Sequence, residues 1–254
     1  MERQVKVCVI GCGPSGLLAA HACRQDGHKI TIISDKIKKS IMAGAMYIHE
    51  SIPGVTPKLP DGKLLIEKRG LPEGYASKVY GDPAHPVSWT QFRTGDHNIW
   101  YMDEAYDRLW ARYKRYVREC EVTPLRMDEI IRHFDLVIAT LPKPAVCYRD
   151  HEFNSVPIYV RQRRLGRDTI HPNVMTYSGM HQDPWYRKST INNVVTIEYP
   201  QRPPNDDYYA GIKPTSNNCD CWPRVLWAGR WGRWEKGVLV HHVYQQVKDA
   251  LLQV

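Results

Sequence analysis

Gly11, Gly13 and Gly16 stand at G-x-G-x-x-G spacing, with Pro14 and Ser15 between the last two, and the chemistry open to such a pattern is the holding of phosphate by main chain. The first glycine permits a tight turn, the second lets backbone approach a pyrophosphate, and the third allows a helix to pack closely on the preceding strand. The phosphates would rest on unpaired N–H groups at a helix N-terminus. Roughly 20 residues beyond such glycines an acidic strand end grips ribose hydroxyls. Asp35 is the natural candidate, although Ser34 occupies the usual place and the contact is shared between them. Lys36, Lys38 and Lys39 follow at once, either as a solvated basic loop or as partners for an extra ribose phosphate of the NADP type.

Three further groups bear on chemistry. Near the end of the chain Gly229, Arg230, Gly232, Trp234, Lys236 and Gly237 form a glycine-broken turn between the apolar run Arg224 to Ala228 and a helical stretch from Val238 to Leu252. That helix start is suited to an anion or an electron-rich ring. Cys147-x3-His151 and Cys219-x-Cys221 offer four soft ligands in two close pairs, as a structural zinc site, a redox-active or disulfide-forming pair, or separate reduced thiols. His49, His241, His242, Tyr47 and Tyr80 are candidate proton carriers. His241 and His242 fall in the first turns of the last helix, about 100° apart, so at most one faces a ligand easily. No catalytic base is assigned.

These residues need elements to position them. Val5 to Ile10 reads as a buried strand, Leu17 to Gln25 as the first helix with Gly27 closing it, and Lys29 to Ser34 as a second parallel strand. Gly44 lies among small residues that let backbone come close to a ligand. The Pro- and Gly-rich stretch from Ser51 to Pro86 predicts short strands and hairpins rather than helices. Asp103 to Arg118 has the clearest helical period, and a shorter helix around Asp128 to His133 precedes the buried strand Phe134 to Thr140. Val156–Val160, Val174–Ser178 and Val194–Tyr199 suggest an antiparallel layer, the basic tract Arg161 to Arg167 a hairpin turn or a polyanion site, and Pro200 to Asn218 a loop.

The expectation is an α/β fold: a single domain whose Rossmann-like parallel sheet is built from residues 1–45, 103–142 and 222–254, with mostly β substrate or cap segments inserted at 46–102 and 143–221. A chain of 254 residues, 43% hydrophobic, suffices for one large domain. No apolar run reaches the ~18 residues of a membrane span, and the chain enters a strand without a signal segment, so no membrane partner and a cytoplasmic location are expected. Seven cysteines, an odd number, fit a reducing compartment. The formal charge of +8 favours anionic ligands without separating a phosphorylated cofactor from nucleic acid.

With a strand, glycine turn and helix at each end, the sequence resembles the flavoprotein fold shared by glutathione reductase, amine oxidases, flavin monooxygenases and UDP-galactopyranose mutase. The resemblance implies FAD, its pyrophosphate at Gly11, Gly13, Pro14, Ser15 and Gly16. Its ribityl chain and ring would lie beside Gly229, Arg230, Gly232, Trp234, Lys236, Gly237 and Val238. The strand ending Ala139-Thr140-Leu141-Pro142 is similar to the one that ends against the dinucleotide in these enzymes, and Ser34-Asp35 is closer to some flavin monooxygenases. Gly74 to Gly81 resembles a substrate-region segment of the mutase-like branch. The whole is similar to small FAD-binding oxidoreductases encoded in some bacteriophage genomes. The implied activity is FAD-dependent oxidation or reduction of a small polar or anionic substrate, with NAD(P)H as a candidate reductant. A mutase-like isomerase or transferase, or a flavin-dependent enzyme acting on nucleic acid, are the alternatives. Substrate and oligomeric state are not readable from the sequence.

Overall fold

The computed structural model describes residues 4–39, 42, 46–92, 94–166, 171–204 and 207–253. In chain order the elements begin β1 (Lys6–Ile10), α1 (Pro14–Gln25), β2 (Lys29–Ser34), β3 (Tyr47–Ile48), β4 (Gly62–Gly70), α2 (Pro72–Tyr80), β5 (Gly95–Tyr101) and α3 (Met102–Tyr113). They continue with β6 (Val117–Glu119), α4 (Pro124–His133), β7 (Leu136–Ala139), β8 (Phe153–Arg164), β9 (Asn173–Gly179), β10 (Arg187–Ile191), β11 (Val194–Tyr199), β12 (Tyr209–Asn217), β13 (Val225–Trp227), α5 (Gly229–Arg233) and α6 (His242–Leu251). The expected α/β class with a parallel sheet holds. Two compact units emerge: one comprises Met1–Ile41, Glu104–Ser155 and Pro214–Val254, the other Met42–Asp103 and Val156–Lys213.

The first unit is built on a five-stranded sheet of order β13-β7-β1-β2-β6, in which all four pairings are parallel. Val7 to Ile10 are fully buried, as a central parallel strand covered on both faces requires. Met127 and Ile130 of α4 join the core formed by Cys8, Ile10, Val137 and Val225. Helix α1 packs along α6, where His21 meets the Tyr244 ring at 6.1 Å.

Burial also sets cysteine reactivity in this sheet: the Cys8 thiol is pushed up to about 12 by desolvation. Cys23 rises to about 12 by the same cause, with Asp26 adding to it. Iodoacetamide at pH 8 is therefore expected to leave both unlabelled in the folded protein and to label both in urea, as peptide mass mapping would read; labelling of Cys8 without denaturant contradicts the central placement of β1.

The second unit holds an eight-stranded sheet of order β12-β8-β11-β10-β9-β4-β5-β3, with β4 and β9 parallel and the β8-β11, β11-β10, β10-β9, β4-β5 and β5-β3 pairs antiparallel. Among the described residues, no helix is long and apolar enough to cross a membrane.

Several expectations are corrected. The helix read through Arg118 stops at Tyr113, and after a single 3-10 turn Val117 to Glu119 leave it to pair with Ile32 to Ser34 at the sheet edge. The 51–86 region contains a true helix, α2, with Pro72 in its first turn and Gly81 left-handed at its end. Arg161 to Arg164 form no hairpin turn but continue β8 in register with Ile197 to Val194. Residues 209–217, expected as loop, form β12. The last helix begins at His242 rather than Val238, and a short helix, α5, occupies the first half of the predicted turn.

Candidate functional site

The chain runs from β1 through α1 to β2 on one side and then returns to place β7 on the other side of β1. The order reverses between β1 and β7, and in open α/β sheets ligands bind outside the carboxyl ends of the strands at such a switch point. Gly11 follows the end of β1 there, and Thr140 follows the end of β7.

Gly11 adopts φ +104, a conformation side chains avoid, and its N–H donates to the Ile33 carbonyl at 2.7 Å. A Cβ on Gly16 would lie 1.9 Å from the Gly11 carbonyl oxygen, so only glycine lets α1 approach the turn this closely. Gly13 is the N-cap of α1; Pro14 opens the helix, no side chain caps it, and its first turn carries no acidic residue. The N-terminal N–H groups and the positive end of the helix dipole thus face the switch point without an internal anion.

The second glycine stretch comes to the same place. A Cβ on Gly229 would lie 2.5 Å from Ser15 Oγ, and one on Gly232 2.4 Å from the Ala139 carbonyl oxygen. The two turns therefore touch each other and the end of β7. Thr140 underlies them, its Oγ1 donating to the Ile10 carbonyl at 3.0 Å. Arg230 lies in α5 and Trp234 is buried, its Nε1 donating to the Asn154 carbonyl at 3.0 Å, so its indole packs the turn from within. Lys236, Gly237 and Val238 lie past α5 and before α6; Lys236 and Gly237 are exposed. Gly44 lies outside the described residues.

At the end of β2 the two ribose candidates separate. The Ser34 hydroxyl is buried, accepting from Cys12 Sγ at 3.3 Å and donating to Asp35 Oδ1 at 3.3 Å. The Asp35 side chain is largely exposed, with Lys36 Nζ 3.8 Å from its carboxylate. Lys39 pairs with Asp107 and sits over the Tyr106 ring, so two of the three loop lysines already face carboxylates. Sequence reasoning missed two supports of this corner. Cys12 Sγ also lies 3.5 Å from the Lys36 carbonyl oxygen and 3.8 Å from that of Lys38, and the fully buried Tyr106 donates its hydroxyl to the Cys12 carbonyl at 3.2 Å. Tyr106 showed in the sequence only as part of a helical aromatic stripe.

The proton-carrier candidates do not gather. His241 is buried and His242 exposed, their rings 4.6 Å apart at the start of α6. In the second unit Tyr47 meets His49 edge-on at 4.9 Å, while Tyr80 stacks on His85 at 3.8 Å. That unit also holds a cleft of about 630 Å3 whose lining includes Ser77, Lys78, Tyr80, His181, Tyr186 and Lys213. Lys78 donates to the Ser178, Met180 and Trp185 carbonyls, and desolvation lowers its pKa while Asp183 opposes the shift. Lys213 is bound to Tyr186 and Glu198. Both cations of the cleft thus already serve the protein itself. Cys147, His151, Cys219 and Cys221, all of the first unit, do come together, with one ligand atom from each lying within 4.8 Å of the others.

No protein-family model and no curated protein sequence matches the chain. Solved structures are similar in fold. A variant of 2-methyl-3-hydroxypyridine-5-carboxylic acid oxygenase matches over 99% of this chain and 86% of its own, with a TM-score of 0.52 at 12% identity. The p-nitrophenol 4-monooxygenase of Pseudomonas putida DLL-E4 matches over 99% of this chain and 80% of its own, with a TM-score of 0.50 at 11% identity. CtdE, solved in complex with FAD and a substrate, matches over 79% of this chain with a TM-score of 0.44 at 15% identity, and the chain spans only 58% of its length. The chain thus shares the α/β fold of the first two oxygenases.

Proposed function

We propose that the protein is an FAD-dependent oxidoreductase of the oxygenase type, acting on a small polar molecule. The observation that carries this reading is the meeting of two glycine turns at the switch point of the parallel sheet, beside an uncapped helix N-terminus. The residues suit the cofactor. The main chain at Gly13 and the first turn of α1 would bind the pyrophosphate, and Asp35, exposed and at hand, would accept from ribose hydroxyls. Ser34, whose hydroxyl is engaged inside, would hold the Asp35 carboxylate in place. The Gly229–Gly232 turn would bring β13 and α5 against the same cofactor. When bound, FAD supplies the redox chemistry, and the protein positions it and admits the substrate.

The test is the absorption spectrum of the purified protein before and after addition of FAD and desalting, followed by identification of the released nucleotide. Retained FAD and substrate-stimulated consumption of NAD(P)H and oxygen are expected; protein that stays colourless after reconstitution overturns the reading. Steady turnover of a substrate without net consumption would point instead to a mutase-like isomerase. Asp35→Ala should weaken FAD binding roughly tenfold, the loss of one hydrogen bond to a charged group of ~1.5 kcal/mol. An unchanged Kd in fluorescence titration would take the ribose away from Asp35.

A further inference from the structure

We propose that Cys147, His151, Cys219 and Cys221 bind a structural zinc ion in the first unit, a site independent of the flavin. Cys147 Sγ lies 3.6 Å from Cys221 Sγ and 3.7 Å from Cys219 Sγ. His151 Nδ1 lies 3.1 Å from Cys147 Sγ and 3.5 Å from Cys221 Sγ. A tetrahedron with zinc–sulfur and zinc–nitrogen bonds of about 2.3 and 2.0 Å has edges of about 3.8 Å between sulfurs and 3.5 Å between sulfur and nitrogen. Four of the six edges therefore stand near the lengths zinc needs before any ligand is added, and all four donor atoms lie within 4.8 Å of one another. Three sulfurs and an imidazole converging from two chain segments is also more than a disulfide uses, since a disulfide would leave one thiol and the ring with no role.

Two of the four ligands, Cys219 and Cys221, are buried, and Cys147 and His151 are half-buried. Cys219 and Cys221 are 8% and 4% exposed, and the His151 side chain 14%. Asp220 Oδ1 lies 3.4 Å from His151 Nε2, the ring nitrogen turned away from the sulfurs. A carboxylate on the outer nitrogen fixes the tautomer and ring orientation of a metal-bound histidine. The two ligand segments are stapled together independently of any metal: Tyr148 donates its hydroxyl to the Cys221 carbonyl at 3.2 Å, and Trp222 Nε1 donates to the Val146 carbonyl at 2.8 Å. The buried Lys143 ammonium donates to the Cys219 carbonyl at 2.7 Å, placing a positive charge beside a centre that three thiolates would leave with net charge near −1. Softness and tetrahedral placement select zinc over magnesium or calcium, which prefer oxygen.

The full-length protein, reduced and reconstituted with zinc chloride and then desalted, is expected to retain about one equivalent of zinc by elemental analysis. Replacing zinc with cobalt(II) should give the intense visible bands of tetrahedral cobalt together with thiolate charge transfer. Chelation should lower the melting temperature, because metal binding to such a site is coupled to folding. Cys221→Ser should lose the cobalt spectrum. Because Cys221→Ser alters a buried position, Asp220→Asn on the surface serves beside it: it should keep the bands and bind zinc roughly 10- to 100-fold more weakly, as loss of the carboxylate that orients a ligating histidine does. Retention of less than about half an equivalent after reconstitution, absence of tetrahedral cobalt bands, or a disulfide among the three cysteines in fresh protein each overturns the proposal.

Discussion

Glu198→Ala is expected to lower the stability of the protein by about 3–5 kcal/mol, the range for removing one partner from a buried ionic group. Glu198 is 1% exposed and stands directly opposite Arg187 in the β10-β11 register. Its carboxylate takes a hydrogen bond from the Tyr186 hydroxyl at 2.7 Å, one from Lys213 Nζ at 2.6 Å, and an ion pair from Arg187. Removing it leaves two cations and a phenol hydroxyl without their shared acceptor in a desolvated place. Desolvation opposes ionisation of Glu198, but Arg187 and Lys213 outweigh it and hold the carboxyl down at about 2, below its ordinary 4.5.

A carboxyl depressed on folding contributes stability above its unfolded pKa, and that contribution is lost as pH falls through the folded value. The wild-type protein should therefore lose this contribution between pH 4.5 and about 2, and Glu198→Ala should show a flatter stability curve across that window. Urea denaturation at pH 7 and pH 3 measures both. A loss below ~1 kcal/mol at pH 7 would mean that the cluster of Glu198, Tyr186, Arg187 and Lys213 adds little beyond its own desolvation cost.

That cluster was invisible in the sequence, and the reason is general to this fold. Arg187 and Glu198 are ordinary charged residues until a hairpin register puts them face to face, and β10 went unread in a polar stretch. Local spacing, by contrast, carried Gly11, Gly13 and Gly16, because one positive φ and one close helix approach are demands that few other residues meet. The edge strand β6 was hidden because Val117 extends the helical spacing of Tyr106, Leu109 and Tyr113. Only pairing with β2 pulls it out of the helix. In β12, Gly211 and Pro214 disguise a strand that tolerates them at the end of its sheet. Helix α2 was masked by its proline and glycines, although Pro72 in the first turn and Gly81 just past the end are helix punctuation. Cys147, His151, Cys219 and Cys221 were legible as one four-donor set from residue type alone, and the fold bears out their meeting by bringing one ligand atom from each within 4.8 Å of the others.

The other large effect is expected at Gly16. Gly16→Ala sets a methyl group 1.9 Å from the Gly11 carbonyl oxygen, 2.8 Å from the Gly11 carbonyl carbon and 3.0 Å from Thr140 Oγ1. The carbonyl cannot swing aside easily: Gly11 is fixed at φ +104, with its N–H bonded to Ile33 and Thr140 bonded behind it. The helix must retreat instead, which draws the N–H groups of its first turn away from the switch point. Overpacking of this kind costs about 1–3 kcal/mol in stability. The larger consequence is functional: FAD binding should weaken more than 100-fold, since the phosphate cradle depends on that approach. Gly27→Ala is the control. Its φ is +79 and nothing lies within 4 Å, so it carries backbone strain of about 1–2 kcal/mol without moving α1 against the turn. Circular dichroism checks that both variants fold, and the flavin-to-protein absorbance ratio after reconstitution separates them. Full flavin retention in folded Gly16→Ala would detach the cofactor from this turn, whereas loss in Gly16→Ala with retention in Gly27→Ala ties binding to the closeness of helix and strand rather than to stability.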